Sequence, residues 1–187
     1  CLPRKLKVGI TTASAANSVF TTGRKISEGA GGANHVGPSG FIEQVGHPAK
    51  SGTADVDITA VGVGYSTGQF SAVPLYTISG HGSGAAAIVV ANTAGEVTTV
   101  NITSPGTGYV KGDVLGITTS AMTSGSGAKV TLTDVATTSD TLYLTDCQGE
   151  EFTEGQNLVY YDDAGVAVSM ASTDVRVTSS VISDLYE

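Results

Sequence analysis

The sequence contains no tryptophan, and only 6% of its residues are aromatic. It also lacks any apolar run near the ~18 to 20 residues that a membrane-spanning helix requires, so no membrane partner is expected. Its two cysteines, Cys1 and Cys147, are too few for the disulfide framework of a small secreted scaffold. The chain is nevertheless 40% hydrophobic, as folded proteins are. We therefore expect cores of small and branched side chains packed in thin β-layers.

Patterns typical of metal or phosphate sites are also missing. The histidines His35, His47 and His81 lie in loops, without a second histidine or a carboxylate at the spacing of a zinc motif. Residues 29–32 and 80–84 are rich in glycine but lack the Lys-Ser or Lys-Thr pair of a phosphate-binding loop. The sequence groups no nucleophile with a base and an orienting residue. We expect no enzyme activity, no metal or other cofactor, and no small-molecule substrate.

Two acidic clusters near the C-terminal end were considered as sites. Glu150, Glu151 and Glu154 resemble paired catalytic carboxylates, and Asp162 with Asp163 resembles a site for a hard cation. Both clusters fall at predicted turns, where solvated carboxylates are ordinary. We therefore interpret them as turn residues.

The central part of the chain contains the same motif twice. VDITAVGVGYSTG at residues 56–68 is echoed by VNITSPGTGYVKG at residues 100–112. Gly64 corresponds to Gly108, which gives a period of 108 − 64 = 44 residues. The motif Gly-Ser-Gly-Ala also occurs once after each, in the same order. The sequence therefore predicts an internal duplication, with copy 1 at residues 56–90 and copy 2 at residues 100–132.

Each copy consists of three apolar or β-branched runs separated by turn signals. The runs are residues 56–58, 73–78 and 85–90 in copy 1, and 100–102, 114–117 and 128–132 in copy 2. The turn residues are Gly62, Gly64, Tyr65, Gly82 and Gly84 in copy 1, and Gly106, Gly108, Tyr109, Gly125 and Gly127 in copy 2. Turn signals about 8 to 12 residues apart indicate an antiparallel sandwich or barrel. Tyr65 and Tyr109 are expected to pack over their own turns with hydroxyls in water.

These observations predict an all-β protein of antiparallel sandwich or barrel-like modules, built on the 44-residue tandem repeat (108 − 64 = 44), with an extended N-terminal segment. Three parts are predicted: a basic, glycine-rich N-terminal arm at residues 1–52, the repeat module at 53–135, and an acidic β module at 136–187. Strands are predicted at residues 6–11, 141–145, 156–161, 166–170 and 174–178, with a turn at 162–165.

Charge is distributed unevenly between the ends of the chain. Residues 1–50 have a net charge of 6 − 2 = +4, whereas the remainder has 3 − 15 = −12. The predicted interface residues of the arm are Arg4, Lys5, Lys7, Arg24 and Lys25. We expect the arm to bind acidic faces of neighbouring subunits, the alternative being a mobile linker. We expect no nucleic-acid contact by the body of the chain, and the arm is the one segment with the charge for it.

The pattern Ile-Thr-x-x-Gly-x-Gly-Tyr, followed by Gly-Ser-Gly-Ala and a valine-rich strand, resembles repeats in virion structural proteins of tailed bacteriophages, particularly the large myophages of marine cyanobacteria. The resemblance covers residues 56–133. LYLTDCQGEEFTEG at residues 142–155 is similar to strand-turn-strand modules of such proteins. Similar Gly-x-Gly-Tyr repeats also occur in large bacterial surface proteins.

The ends of the chain suggest processing. Leu185 and Glu187 resemble the recognition site of head-maturation proteases in the large myophages, which cleave after a glutamate preceded by a hydrophobic residue two positions earlier. A start at Cys1 rather than at methionine agrees with a chain trimmed at both ends. An acylated bacterial lipoprotein is the alternative interpretation of Cys1.

The resemblance implies a structural, non-enzymatic virion protein, most simply a head component of the capsid decoration or cement type. Its partners would be other virion proteins and copies of itself, and its location the phage particle. The alternatives are a tail, neck or fibre component, or a glycan-binding adhesin module on a bacterial surface. In the adhesin, Tyr65, Tyr109, Tyr160 or Tyr161 would stack on sugars.

Overall fold

The computed structural model describes residues 4–11, 20–29, 37–149, 152–162, 164–168 and 176–182. The predicted all-β class is confirmed: antiparallel strands make up two curled sheets. The strands are β1 (Arg4–Ile10), β2 (Lys25–Glu28), β3 (Ser39–Gly46), β4 (Val56–Val63), β5 (Gly68–Ser79), β6 (Ala86–Ala91), β7 (Val97–Ser104), β8 (Val114–Ile117), β9 (Ser126–Leu132), β10 (Thr141–Gln148), β11 (Leu158–Tyr161), β12 (Ala167–Val168) and β13 (Val177–Ile182). One 3-10 turn, Thr119–Ala121, follows β8.

The chain divides into two compact units, but not at the predicted boundaries. Unit 1 combines Cys1–Gly46 with Thr137–Glu187, and unit 2 is the continuous segment His47–Ala136. The predicted repeat module at 53–135 falls within unit 2. The N-terminal arm and the C-terminal module, which we expected to be separate, instead share one sheet in the order β12-β11-β2-β3-β10-β1-β13.

Strand β1 explains why the N-terminal segment is part of unit 1. It lies between β10 and β13 and pairs with both of them. Its alternating residues Leu6, Val8 and Ile10 are all buried. This segment is extended, as expected, but its apolar face is needed to fill the core of unit 1 and is not available to a neighbouring subunit.

The core of unit 1 combines residues from both ends of the chain. Its buried members are Leu6, Val8, Ile10, Phe20, Ile26, Ile42, Leu142, Leu144, Phe152, Leu158, Tyr160 and Val177. Phe20 meets Tyr160 edge to face, with ring centroids 6.2 Å apart, which is a favourable geometry for aromatic pairs. Segments far apart in the sequence therefore depend on one another for burial.

The predicted C-terminal strands are present with shifted bounds. The strand expected at residues 141–145 extends to Gln148, and the one expected at 156–161 is β11. The predicted turn before β12 also forms, since Asp162 Oδ1 accepts the backbone N–H groups of Ala164 and Val166 at 2.9 and 2.8 Å.

Unit 2 is a six-stranded sheet in the order β4-β9-β8-β5-β6-β7. Copy 1 supplies β4, β5 and β6, and copy 2 supplies most of β7 and then β8 and β9. The first strand of each copy pairs with the third strand of the other: β4 with β9, and β7 with β6. The two middle strands, β5 and β8, pair with each other. The two copies therefore interleave and do not form separate sheets.

Corresponding residues in the two copies occupy corresponding registers. Ile58 is opposite Val130 in the β4–β9 pair, and Ile102 is opposite Ala87 in the β7–β6 pair. The inward side chains of all six strands form one core, with Val73, Val89, Leu115 and Val130 fully buried. That the copies arose by duplication stays a prediction from the sequence.

Candidate interaction surfaces

The two repeat tyrosines are internal. Tyr65 and Tyr109 are only 4% and 0% exposed. The Tyr65 hydroxyl accepts the backbone N–H of Ala128 at 3.1 Å, and the Tyr109 hydroxyl accepts that of Ala85 at 3.1 Å. Our expectation of hydroxyls in water is wrong, because each hydroxyl bonds the Gly-Ser-Gly-Ala segment of the opposite copy. Burial, the largest cause, raises the pKa of Tyr109.

Glycine in the paired motifs leaves room for these rings. A Cβ atom at Gly125 would overlap the ring of Tyr65, and one at Gly82 would overlap the ring of Tyr109. The other motif glycines have positive φ, for example 74° at Gly64 and 75° at Gly108. Gly82 does not have a positive φ. This position requires glycine because the ring of Tyr109 lies too close for any side chain.

The remaining predicted turn glycines also lie at contacts between the two copies. A Cβ at Gly62 would lie 2.6 Å from the backbone N of Ala128, and one at Gly106 would lie 2.6 Å from that of Ala85. Gly84 and Gly127 have φ of 81° and 83°. We call these contacts, together with those of Tyr65 and Tyr109, the glycine–tyrosine latches.

The two described histidines, His47 and His81, lie in turns and strand connections. His47 pairs with Tyr109 through two backbone hydrogen bonds of 2.8 Å, and the backbone N–H of His81 donates to Asp113 at 3.3 Å. His35 lies outside the described residues. Within the described ranges, no group of three or more His, Cys, Asp or Glu residues could hold a metal ion.

Asp113 is a buried carboxylate that no motif in the sequence indicated. It is only 5% exposed, and its carboxylate also accepts the N–H of Val110 at 3.1 Å. By accepting backbone donors from two turns, this carboxylate ties the turn at His81 to the turn before β8. Its role is structural, because both of its bonds are to backbone groups.

Only some residues of the two acidic clusters lie in the part of the chain that the structure describes. Glu154 is exposed at a turn, as expected, and the bond pattern of Asp162 is that of a turn. Glu150, Glu151 and Asp163 lie outside the described residues, as do Leu185 and Glu187 of the predicted processing end.

Three basic residues of the predicted arm, Lys7, Arg24 and Lys25, make contacts within unit 1. The ammonium group of Lys7 is 5.9 Å from the ring centroid of Tyr143, and that of Lys25 is 5.7 Å from the ring centroid of Tyr161. Arg24 accepts the N–H of Ile42 through its carbonyl at 2.8 Å. Arg4 and Lys5 lie on β1, but their side chains are not described. Lys7 and Lys25 thus contact aromatic faces of their own unit.

Lys50 joins the two ends of unit 2. Its ammonium group donates to Asp134 Oδ2 and lies 3.6 Å from Asp55 Oδ1. The hydrogen bond with Asp134, as the largest cause, raises the pKa of Lys50. The same bond, also as the largest cause, lowers the pKa of Asp134. The sequence spacing of 84 residues gave no signal for this pair.

Cys147 is a half-buried free thiol on β10. Burial raises its pKa to about 11, so the thiolate is scarce at neutral pH and the sulfur is a poor nucleophile. A Cβ at Gly40 would lie 2.8 Å from the sulfur, which places the thiol against the neighbouring strand β3. The geometry is that of a packing residue.

The sugar-stacking hypothesis does not fit the tyrosines first chosen for it. Tyr65, Tyr109 and Tyr160 are buried, and Tyr161 is half-buried. Among the described residues, the tyrosine that faces solvent is Tyr76 on β5, with 53% of its surface exposed. Its ring lies across Gly116 of β8, the residue directly opposite, where any Cβ would overlap it.

Two pairs of exposed apolar side chains lie on strands at the ends of the sheets. Val181 and Ile182 on β13, the last strand of the unit 1 sheet, are 58% and 43% exposed. Val61 and Val63 on β4, the last strand of the unit 2 sheet, are 44% and 68% exposed. An edge strand with exposed β-branched residues can pair with another chain.

No protein family, curated protein or solved structure matches this chain. The candidate surfaces therefore rest on the geometry of this chain alone. In the part of the chain that the structure describes, no helix is long and apolar enough to cross a membrane.

Proposed function

We propose that this protein is a structural, non-enzymatic component of a phage particle, a capsid decoration or cement-like subunit of the head, which binds its neighbours by the edges of its sheets. The proposal rests on the composition and exposure of the edge strand β13. Its six residues, VTSSVI, include no charge, and the strand ends in the exposed pair Val181 and Ile182. Edge strands of monomeric proteins are commonly guarded by charged residues, bulges or proline. β13 has one register irregularity near its start, opposite Gly9 and Ile10, and no charge or proline along its length.

The backbone of Val177, at the start of β13, already pairs with Gly155 and Gln156. Beyond Val177, pairing of β13 with a strand of another subunit would satisfy backbone donors and acceptors and cover the side chains of Val181 and Ile182. Such strand addition derives affinity from main-chain hydrogen bonds and specificity from alternate side chains. The partners on this proposal are other virion proteins and copies of this chain. Support for a phage particle comes from the resemblance of the repeat sequence, and the tail, neck and fibre remain alternative locations.

The experiment places a charge on the edge strand. We expect Val181→Lys to reduce self-association in sedimentation velocity and incorporation into assembling particles, because a lysine guards the edge. The matched control is Phe41→Lys, since Phe41 is 40% exposed but lies on β3, opposite Lys25 of β2 on one side and Thr145 of β10 on the other. Equal incorporation of the Val181→Lys chain and the control would contradict the proposal.

A glycan-binding module is the second candidate, and Tyr76 is the observation that favours it. One face of its ring rests on Gly116 while about half of the residue is exposed, so the other face is available as a flat platform. A glycan array with the wild-type protein, Tyr76→Ala and Tyr161→Ala separates the candidates. Binding that is lost only in Tyr76→Ala would support the adhesin function over the assembly function.

A further inference from the structure

The hydrogen bonds and close contacts of the glycine–tyrosine latches join copy 1 to copy 2. Tyr65 of copy 1 bonds Ala128 of copy 2, and Tyr109 of copy 2 bonds Ala85 of copy 1. The strand pairs are exchanged in the same way, since β4 pairs with β9 and β7 pairs with β6. Each copy therefore has groups that only the other copy can satisfy.

Unit 1 has the same dependence on both halves of the chain. Strand β1 pairs with β10 and β13, β2 with β11, and β3 with β10. Strands β1 to β3 precede the loop at residues 92–96, and β10 to β13 follow it. A single loop therefore separates two halves of the chain, residues 1–91 and 97–187, that complete each other in both units.

The loop at residues 92–96 holds the closed arrangement by local hydrogen bonds. Asn92 Oδ1 accepts the N–H groups of Ala94 and Glu96 at 2.9 and 3.0 Å, and its side-chain amide donates to Glu96 at 3.0 Å. Gly95 has a φ of 78°, and its carbonyl accepts the N–H of Tyr65 at 3.1 Å. These bonds are specific to the closed turn, whereas the latches and strand pairs are not.

We propose that the two halves exchange between chains: residues 1–91 of one molecule bind residues 97–187 of a second copy through the pairs and latches that the monomer already contains. The interaction surface is the one between the halves, and the partner is a second copy of this protein. An exchanged dimer keeps the hydroxyl bonds of both latches and every strand pair. It loses only the turn at 92–96, together with the bond from the N–H of Tyr65 to Gly95, which is why exchange has little energetic penalty. The inference rests on contacts within the chain and does not depend on the proposed function.

The test uses two defective full-length chains that complement each other. The first carries Tyr65→Ala and Gly82→Val, which damage copy 1, and the second carries Tyr109→Ala and Gly125→Val, which damage copy 2. In an exchanged dimer, copy 1 of the second chain packs against copy 2 of the first chain. Neither of these two copies carries a substitution, so both latches can form between them. We expect co-refolding of the two chains, one of them tagged, to yield a mixed dimer with protease-resistant latches, whereas each chain refolded alone yields none.

The matched control is co-refolding of tagged and untagged forms of the first chain, which offers no intact combination and should give no protected dimer. A second measurement uses Asn92→Ala, which weakens only the closed turn. The dimer fraction of this variant after refolding, measured by light scattering, should exceed that of the wild type at equal concentration. Absence of a mixed dimer from the complementing pair, or an Asn92→Ala chain as monomeric as the wild type, would overturn the inference.

Discussion

The hydroxyl groups of Tyr65 and Tyr109 show how much a single buried acceptor contributes. Each accepts the backbone N–H of an alanine in the opposite copy, at 3.1 Å. A phenylalanine would keep the ring in place and leave the N–H of Ala128 or Ala85 buried without an acceptor.

We expect Tyr65→Phe and Tyr109→Phe each to lower the free energy of unfolding by about 1 to 3 kcal/mol, the range for a buried donor left without its partner. Urea melts followed by circular dichroism measure the change. Tyr76→Phe is the control, because Tyr76 is 53% exposed and its hydroxyl can be replaced by water. If all three variants have the same free energy of unfolding, the hydroxyl hydrogen bonds contribute nothing to stability.

The pair of Lys50 and Asp134 predicts a pH dependence. The pKa of Asp134 is lowered from 3.8, so its contribution to stability is present above that value and is lost as the pH falls through the lower pKa of the folded state. The pKa of Lys50 is raised from 10.5, so its contribution is present below that value and is lost as the pH rises through the higher pKa of the folded state. The pair therefore stabilises the fold across the whole range between these limits.

We expect Asp134→Asn to lower the melting temperature at pH 7, and the difference from the parent to shrink as the pH falls through the lowered pKa of Asp134 and the carboxylate of the parent becomes protonated. Because the pair is exposed to solvent, the effect should be small and should weaken in high salt. Asp55→Asn is the control, since Asp55 lies farther from Lys50 at 3.6 Å. A difference from the parent that does not shrink as the pH is lowered would contradict this account.

At the scale of elements, the Gly-x-Gly-Tyr turns depend on backbone conformation. Gly64 and Gly108 have φ of 74° and 75°, in the left-handed region that β-branched residues avoid. A Cβ at Gly64 would meet only Gly125, at 3.8 Å, so space is not the limiting factor there.

We therefore expect Gly64→Val and Gly108→Val each to destabilise the protein by about 1 kcal/mol or more through backbone strain. The matched control is Gly64→Asn, because asparagine tolerates the left-handed region better than valine does. Urea melts of the variants check the order, and a valine variant as stable as the asparagine variant would show that the turn does not require this φ.

At the scale of the whole molecule, the two units differ in how they use the chain. Unit 2 is the continuous segment His47–Ala136, and its own strands supply its core and its pairs. Unit 1 needs β1 to β3 and β10 to β13 together.

This difference predicts the behaviour of fragments. The fragment 47–136 should fold alone, with a cooperative thermal transition and protected amides in β5 and β8, because its burial and pairing are complete. Deleting residues 1–11 from the full chain should instead unfold unit 1, since β1 is an inner strand with Leu6, Val8 and Ile10 buried. A fragment 47–136 without a cooperative transition would show that unit 2 depends on unit 1.

The sequence alone determined the class of the fold and located strands of the central segment, because alternation of apolar residues and the demand for glycine at positive φ are local properties. Two of the predicted turn glycines, Gly62 and Gly127, lie instead within β4 and β9. The sequence did not reveal that β1 belongs beside β10, that the tyrosine hydroxyls bond the opposite copy, or that the ring of Tyr76 is exposed. Those depend on which strands become neighbours in space. Only the tertiary structure decided them, because burial and backbone pairing stabilise contacts between parts of the chain that are far apart in sequence. Lys50 and Asp134, for example, are 84 residues apart, and such a contact produces no periodic pattern in the sequence.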